Sequence, residues 1–215
     1  MRIDNPIPLE CDFDHTRKDK AIIMRNTLLL ILLMVGSAAF LSAQTPYRLS
    51  SDHSIVINGT SNVHDWDEVV EKASGNAVIS WSEDGVPTIS SLVLSLDVES
   101  IKSHRSSIMD SKTYTALKSD KYPKITFVLQ NVKSMTPAGN GSYKVVATGS
   151  LTLAGKSRTI DLSAKVRTVG GNKIEINGSE ALKMTDYGIS PPTALLGSLT
   201  TGDDVTIDYN ITLVP

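Results

Sequence analysis

The sequence predicts an all-β domain, an extended antiparallel β-barrel of about eight strands with one short helix. Three observations carry this reading. Apolar and polar residues alternate with period two from Tyr47 onward, the pattern of strands with one buried and one wet face. Short clusters rich in Gly, Asp and Asn separate the alternating runs, as hairpin turns do. The one cysteine is Cys11, so no disulfide or thiolate metal cluster can form within the chain, and stability rests on packing.

The runs follow in order. Ala77, Ile79 and Trp81 share one phase, as do Leu92, Leu94, Leu96 and Val98. The same alternation recurs in Ile125-Phe127-Leu129, from Tyr143 through Val145, Ala147, Gly149 and Leu151 to Leu153, in Ile160-Leu162-Ala164-Val166, and from Val205 through Ile207, Tyr209 and Ile211 to Leu213. Their partners are rich in Thr and Ser, which suit a solvated pleated surface. Turns are expected at Glu83-Asp84-Gly85, Pro137 to Gly141, Ala154 to Ser157 and Gly170-Gly171-Asn172. Successive antiparallel strands must hide their edges, and closure into a barrel does so most simply. Two stretches break the alternation. Ser106 to Lys118 spaces its apolar residues closer to a helical face, with Pro123 downstream, and reads as a short helix or irregular excursion. Asp186 to Gly202 holds Pro191, Pro192 and many small residues, and reads as a long loop of the kind that is often functional.

The chain divides at residue 43. Thr27 to Phe40 is uncharged and apolar, with Arg25, Lys20 and Lys18 upstream and Leu41-Ser42-Ala43 after it. This is the layout of a secretory signal peptide cleaved after Ala43, and the run is shorter than the roughly 18–20 apolar residues of a spanning helix. Residues 1–23 are polar and long for the start of such a signal, so translation is expected to begin at Met24. The domain then spans 44–215, periplasmic or secreted. Removing 1–43 takes away as many basic residues (Arg2, Arg17, Lys18, Lys20, Arg25) as acidic ones (Asp4, Glu10, Asp12, Asp14, Asp19).

Composition narrows the function classes. The 215 residues are 40% hydrophobic and 20% charged, enough apolar material for one cored domain. The formal charge of -2 provides no field for phosphate backbones, which sets nucleic acid aside as a partner. Gly155-Lys156-Ser157 lacks the earlier glycine of a phosphate-binding loop, because position 150 is Ser150, and it lies between strands. His64 and Asp65 are neighbours on an extended chain and point to opposite faces, which disfavours a dyad. His53 and His64 could converge across strands, yet scattered histidines are more often structural. No HExxH, CxxC or GxSxG occurs, so neither a metal nor a cofactor is expected, and a hydrolase using His64 is the weakest reading.

The order of motifs resembles the YceI-like family of exported, lipocalin-type barrels. Leu117-Lys118-Ser119-Asp120-Lys121-Tyr122-Pro123-Lys124-Ile125-Thr126-Phe127 is similar to the family's helical excursion followed by an aromatic-Pro-x-Ile-x-Phe strand entry. Gly149 to Arg158 is similar to its G-x-LT hairpin, and Tyr47-Arg48-Leu49 with Asp52-His53-Ser54 to its opening strand. Gly59 to Trp66 and the stretch Leu182 to Pro192 depart from the family's usual pattern. The resemblance covers about residues 47–213 and implies a lipophilic tunnel that binds isoprenoid chains such as those of quinones.

An eight-stranded barrel is just wide enough to pack solid or to hold one slim ligand. If it holds one, the lining residues expected from strand phase are Ile79, Trp81, Leu94, Leu96, Phe127, Leu129, Val145, Leu151, Leu153 and Tyr209, with His64 and Trp66 at a possible mouth. The function so read is non-catalytic binding, transport or storage of an isoprenoid, quinone or lipid. The rival is a packed barrel that docks an envelope partner through the Gly188–Gly202 loop.

Overall fold

The structure is a computed structural model that describes residues 45–215; the export segment, Cys11 and the start at Met24 lie outside the described residues. In chain order the first strands are β1 (Thr45–Leu49), β2 (Ser54–Ser61), β3 (Trp66–Val70), β4 (Ala73–Trp81), β5 (Pro87–Asp97) and β6 (Ile101–Lys102). Helix α1 (Ser107–Leu117) follows, then β7 (Lys124–Pro137), β8 (Ser142–Leu153), β9 (Lys156–Val169), β10 (Lys173–Lys183), β11 (Thr193–Ala194) and β12 (Leu199–Val214).

All pairings are antiparallel, and β1 bonds to both β4 and β12, which closes the sheet. Around the ring the order is β1, β4, β5, β7, β8, β9, β10, β12, the closed eight-stranded barrel expected from the alternation. Above this ring, β2 takes over from β1 beside β12, β3 leads into β4, and β6 follows β5 after the short turn Val98–Ser100. These three staves are interrupted at one level, where the backbone needs other partners. Glu71 N–H donates to Ser100 O at 3.0 Å, Lys72 N–H to Ser100 Oγ at 3.0 Å, and Ser100 Oγ to Asp97 O at 2.7 Å.

The expected turns are present. At the β8–β9 hairpin both central residues take positive φ, Ala154 at 47° and Gly155 at 79°, the geometry of a two-residue hairpin turn and not of a phosphate cradle. Helix α1 is capped by Ser106, whose side chain accepts from Ile108 N–H at 3.2 Å, a cap worth about 1 kcal/mol. Its Ser- and Thr-rich sequence has modest helix propensity, so the helix depends on its tertiary ties. Tyr114 and Leu117 pack against the main core.

One expectation is corrected. Asp186 to Gly202 is not a uniform loop: Met184–Tyr187 and Leu195–Gly197 are 3-10 turns, β11 pairs with β12, and β12 already begins at Leu199. The alternation was masked there by a register shift between Thr201 and Val205, where a bulge breaks the period-two pattern.

One end of the barrel is packed shut. Tyr47, Ile79, Ile174 and Leu213 are fully buried there. Tyr47 Oη donates to Asn172 O at 2.8 Å and accepts from Trp81 Nε1 at 3.2 Å. The opposite end carries α1, the β2–β3 turn and the segment from Met184 to Ser198.

Candidate functional site

Above the packed floor the barrel encloses a cavity of about 520 Å³, within the range of roughly 300–1,000 Å³ typical of small-molecule sites. Its walls are the inward phases of the staves. Leu94 and Leu96 on β5 stand opposite Phe127 and Ile125 on β7. Leu129, Val145, Leu151 and Leu153 continue the lining across β7 and β8, and Tyr209 adds the β12 wall. Ile55, Ile57 and Ile176, outside the runs read from the sequence, and Ile207, inside one of them, complete the aliphatic surface.

Ile79 and Trp81 do not line this cavity. Both follow the inward phase, but they lie below it: Ile79 is fully buried in the floor, and the Trp81 indole is bonded to Tyr47. Phase settles the face of a strand and leaves depth along the barrel axis open.

Glycine makes room for the aromatic lining. A β-carbon on Gly149 would stand 2.3 Å from the Phe127 ring, and one on Gly178 2.4 Å from Tyr209 Oη. Both rings therefore lie flat across a glycine of the neighbouring strand.

His64 and Trp66 border the cavity, and neither is poised for chemistry. His64 Nδ1 is 2.9 Å from the backbone oxygen of Asp65, and Trp66 Nε1 donates to Thr60 O at 2.9 Å. His53 is at the other end of β2, against Ser50 O at 3.3 Å, so the two histidines do not converge. Among the described residues no group of three or more His, Cys, Asp or Glu could hold a metal ion.

Two carboxyl groups break the apolar wall, and sequence reasoning passed over both. Glu68 on β3 pairs with Ile57, Ile57 with Ile207, and Ile207 with Glu180 on β10. One row of four strands thus carries a carboxyl at each end. Each is in phase with apolar neighbours, Glu68 with Trp66 and Val70, and Glu180 with Ile176 and Leu182, which is the signal that could have found them. Glu68 is 1% exposed, and burial pushes its carboxyl up to about 7, with Asp110 and Asp67 adding to the rise and the Thr113 hydroxyl opposing it. Burial, with help from Asp161, also raises Glu180.

Glu180 marks a fork in the wall. The β9–β10 ladder ends at Gly178 and Ala164, although β9 reaches back to Lys156 and β10 on to Lys183. The gap is filled by the following segment, where Tyr187 and Ile189 bury against Ala154 and Arg158 Nη1 holds Asp186 at 2.9 Å. Glu180 faces both the cavity and the outer cleft at this fork. The hydroxyls of Tyr187 and Tyr209 are both buried without a hydrogen-bond partner. Burial pushes the Tyr209 phenol up to about 12, with the Glu180 charge adding to the rise.

The YceI-like domain family matches residues 47–213. The chain belongs to the YceI-like family. Several solved structures share the fold. A polyisoprenoid-binding domain from Saccharophagus degradans, implicated in plant cell wall breakdown, aligns with a TM-score of 0.61 at 16% identity, over 78% of this chain and 97% of its own. BcnA of Burkholderia cenocepacia aligns at 0.56 and 18%, over 74% and 95%. The Campylobacter jejuni YceI protein aligns at 0.51 and 22%, over 67% and 82%. No functionally curated protein matches the chain.

Proposed function

We propose that this YceI-like barrel binds an apolar chain in its interior, an isoprenoid, an isoprenoid quinone or another lipid, and transports or stores it. Catalysis and a resident cofactor have no part in this reading, and the bacterial envelope, reached by export, is its place. The observation that carries the proposal is the cavity of about 520 Å³ with an almost wholly aliphatic wall. Such a surface gains by excluding water around a hydrocarbon chain and offers few groups to orient a polar substrate. A solidly packed barrel, the premise of the rival reading, has no such space. The polyisoprenoid-binding domain of Saccharophagus degradans, with the same fold, supports an isoprenoid as the ligand class.

Within this proposal Leu94, Leu96, Phe127, Leu129, Val145, Leu151, Leu153 and Tyr209 contact the chain, and His64 and Trp66 stand at its entrance. The test is mass spectrometry of organic extracts from residues 44–215 purified without detergent from a bacterial periplasm. A stoichiometric isoprenoid or lipid is expected, lost in folded Leu94→Asp or Leu151→Asp variants. An empty barrel that also takes up no added quinone overturns the proposal.

A further inference from the structure

The rim of the cavity carries an apolar surface of its own. The large apolar side chains exposed among the described residues are Val63 (65%), Ile108 (69%), Leu195 (75%), Leu196 (109%), and the outer-wall pair Val93 and Val128. The first four belong to the three segments that frame the mouth: the β2–β3 turn, α1 and the link between β11 and β12. Those segments are tied together. Asn62 Nδ2 donates to Ser198 O at 2.8 Å and Asn62 Oδ1 accepts from Thr200 N–H at 3.0 Å, while Lys112 Nζ donates to Thr193 O at 2.6 Å. His64, Ile108, Lys112, Ala194 and Leu199 from the same segments line the cavity entrance.

Leu195 and Leu196 both adopt positive φ, 51° and 54°, a left-handed conformation that residues with a β-carbon rarely take. They spend that strain without entering the core. The charge of the rim completes the picture. Arg105 and Lys112 flank Ile108, with His64 and His104 nearby, whereas Asp110 of the same helix is buried and paired with Lys102 at 3.3 Å. Asp65 is the exposed acid of these segments. A protein of formal charge -2 therefore presents cations together with apolar side chains at the mouth of an apolar cavity.

The geometry points to an anionic phospholipid surface as the occupant of this rim: Val63, Ile108, Leu195 and Leu196 enter the boundary between head groups and chains, and Arg105 and Lys112 meet the phosphates. Exposed apolar residues beside basic ones are what such a boundary binds. Docked this way, the cavity opens into hydrocarbon, and an apolar chain passes between bilayer and barrel without crossing water.

Residues 44–215 hold the closed barrel and its whole core, so they are the species to test by co-flotation with vesicles. Binding is expected to vesicles of phosphatidylcholine containing phosphatidylglycerol, weaker to phosphatidylcholine alone, and reduced by salt. Leu195→Ser with Leu196→Ser should lower partitioning by about tenfold or more, and Arg105→Gln should weaken the preference for phosphatidylglycerol, both with unchanged melting temperature because these side chains are outside the core. Ala147→Phe, which places a ring in the cavity from its wall, should keep vesicle binding while lowering ligand content, so this inference and the proposed function fail separately. No binding to either vesicle, equal binding by the double-leucine variant, or burial of the rim in a dimer without vesicle binding would overturn the inference.

Discussion

Thr113 on the mouth helix donates its hydroxyl to both carboxyl oxygens of Glu68, at 2.7 and 2.9 Å. The bond ties α1 to the barrel wall through a buried acid whose proton affinity is far from ordinary. Burial of that acid, which outweighs the bond, gives stability a pH dependence of defined sign.

Glu68 is raised from 4.5 to about 7 on folding, so the folded state holds its proton more tightly than the unfolded chain. The sign follows from linkage: the Glu68 contribution to stability is full below about 4.5, falls as the pH rises toward 7, and is gone above that. The loss amounts to roughly 3 kcal/mol. Urea denaturation across this range should show the decline, and Glu68→Gln should remove most of it. An unchanged pH profile in the variant would assign the effect to other groups.

Phe127 and Gly149 form a matched pair. Gly149→Ala forces the ring away from the neighbouring strand, at about 1–3 kcal/mol, and pushes it into the cavity. Pairing it with Phe127→Leu should recover part of the loss. A thermal denaturation double-mutant cycle reads the coupling, and additive effects would deny the contact.

Floor and wall should separate stability from binding. Ile79→Ala, in the packed floor, should cost about 2–5 kcal/mol while leaving the ligand in place below the unfolding temperature. Leu151→Asp, in the wall, should empty the barrel. Lipid content by mass spectrometry, beside the melting temperature, distinguishes the two.

The buried Tyr209 hydroxyl lacks a partner, and an unsatisfied polar group in the interior is costly. Tyr209→Phe should therefore be neutral or stabilise the ligand-free barrel by up to about 1 kcal/mol. Calorimetry of the delipidated protein tests this; a clear loss of stability would mean the hydroxyl is satisfied.

The strands were legible because alternation is a property of the chain itself. Ala77-Ile79-Trp81 and Leu92-Leu94-Leu96 fall within β4 and β5 because a half-buried strand permits no other pattern. Depth was not legible: Ile79 and Leu94 look alike in sequence, yet one plugs the floor and the other faces the cavity. That difference depends on how strands are staggered around the ring. Glu68 and Glu180 were passed over because a charged residue on an apolar phase reads as an interruption until its neighbours are known. The early start of β12 was hidden by its bulge.

β12 touches more of the fold than its position suggests. It bonds to β10, β2, β1 and β11, so the seam joins the first strand of the barrel to the last. Closure must wait until Val214 is available to meet Arg48, and this pairing spans nearly the whole domain. Contacts so distant along the chain make folding slow. The barrel thus closes only once both Arg48 and Val214 have been made, and until then its apolar staves stay open to whatever binds unfolded chains.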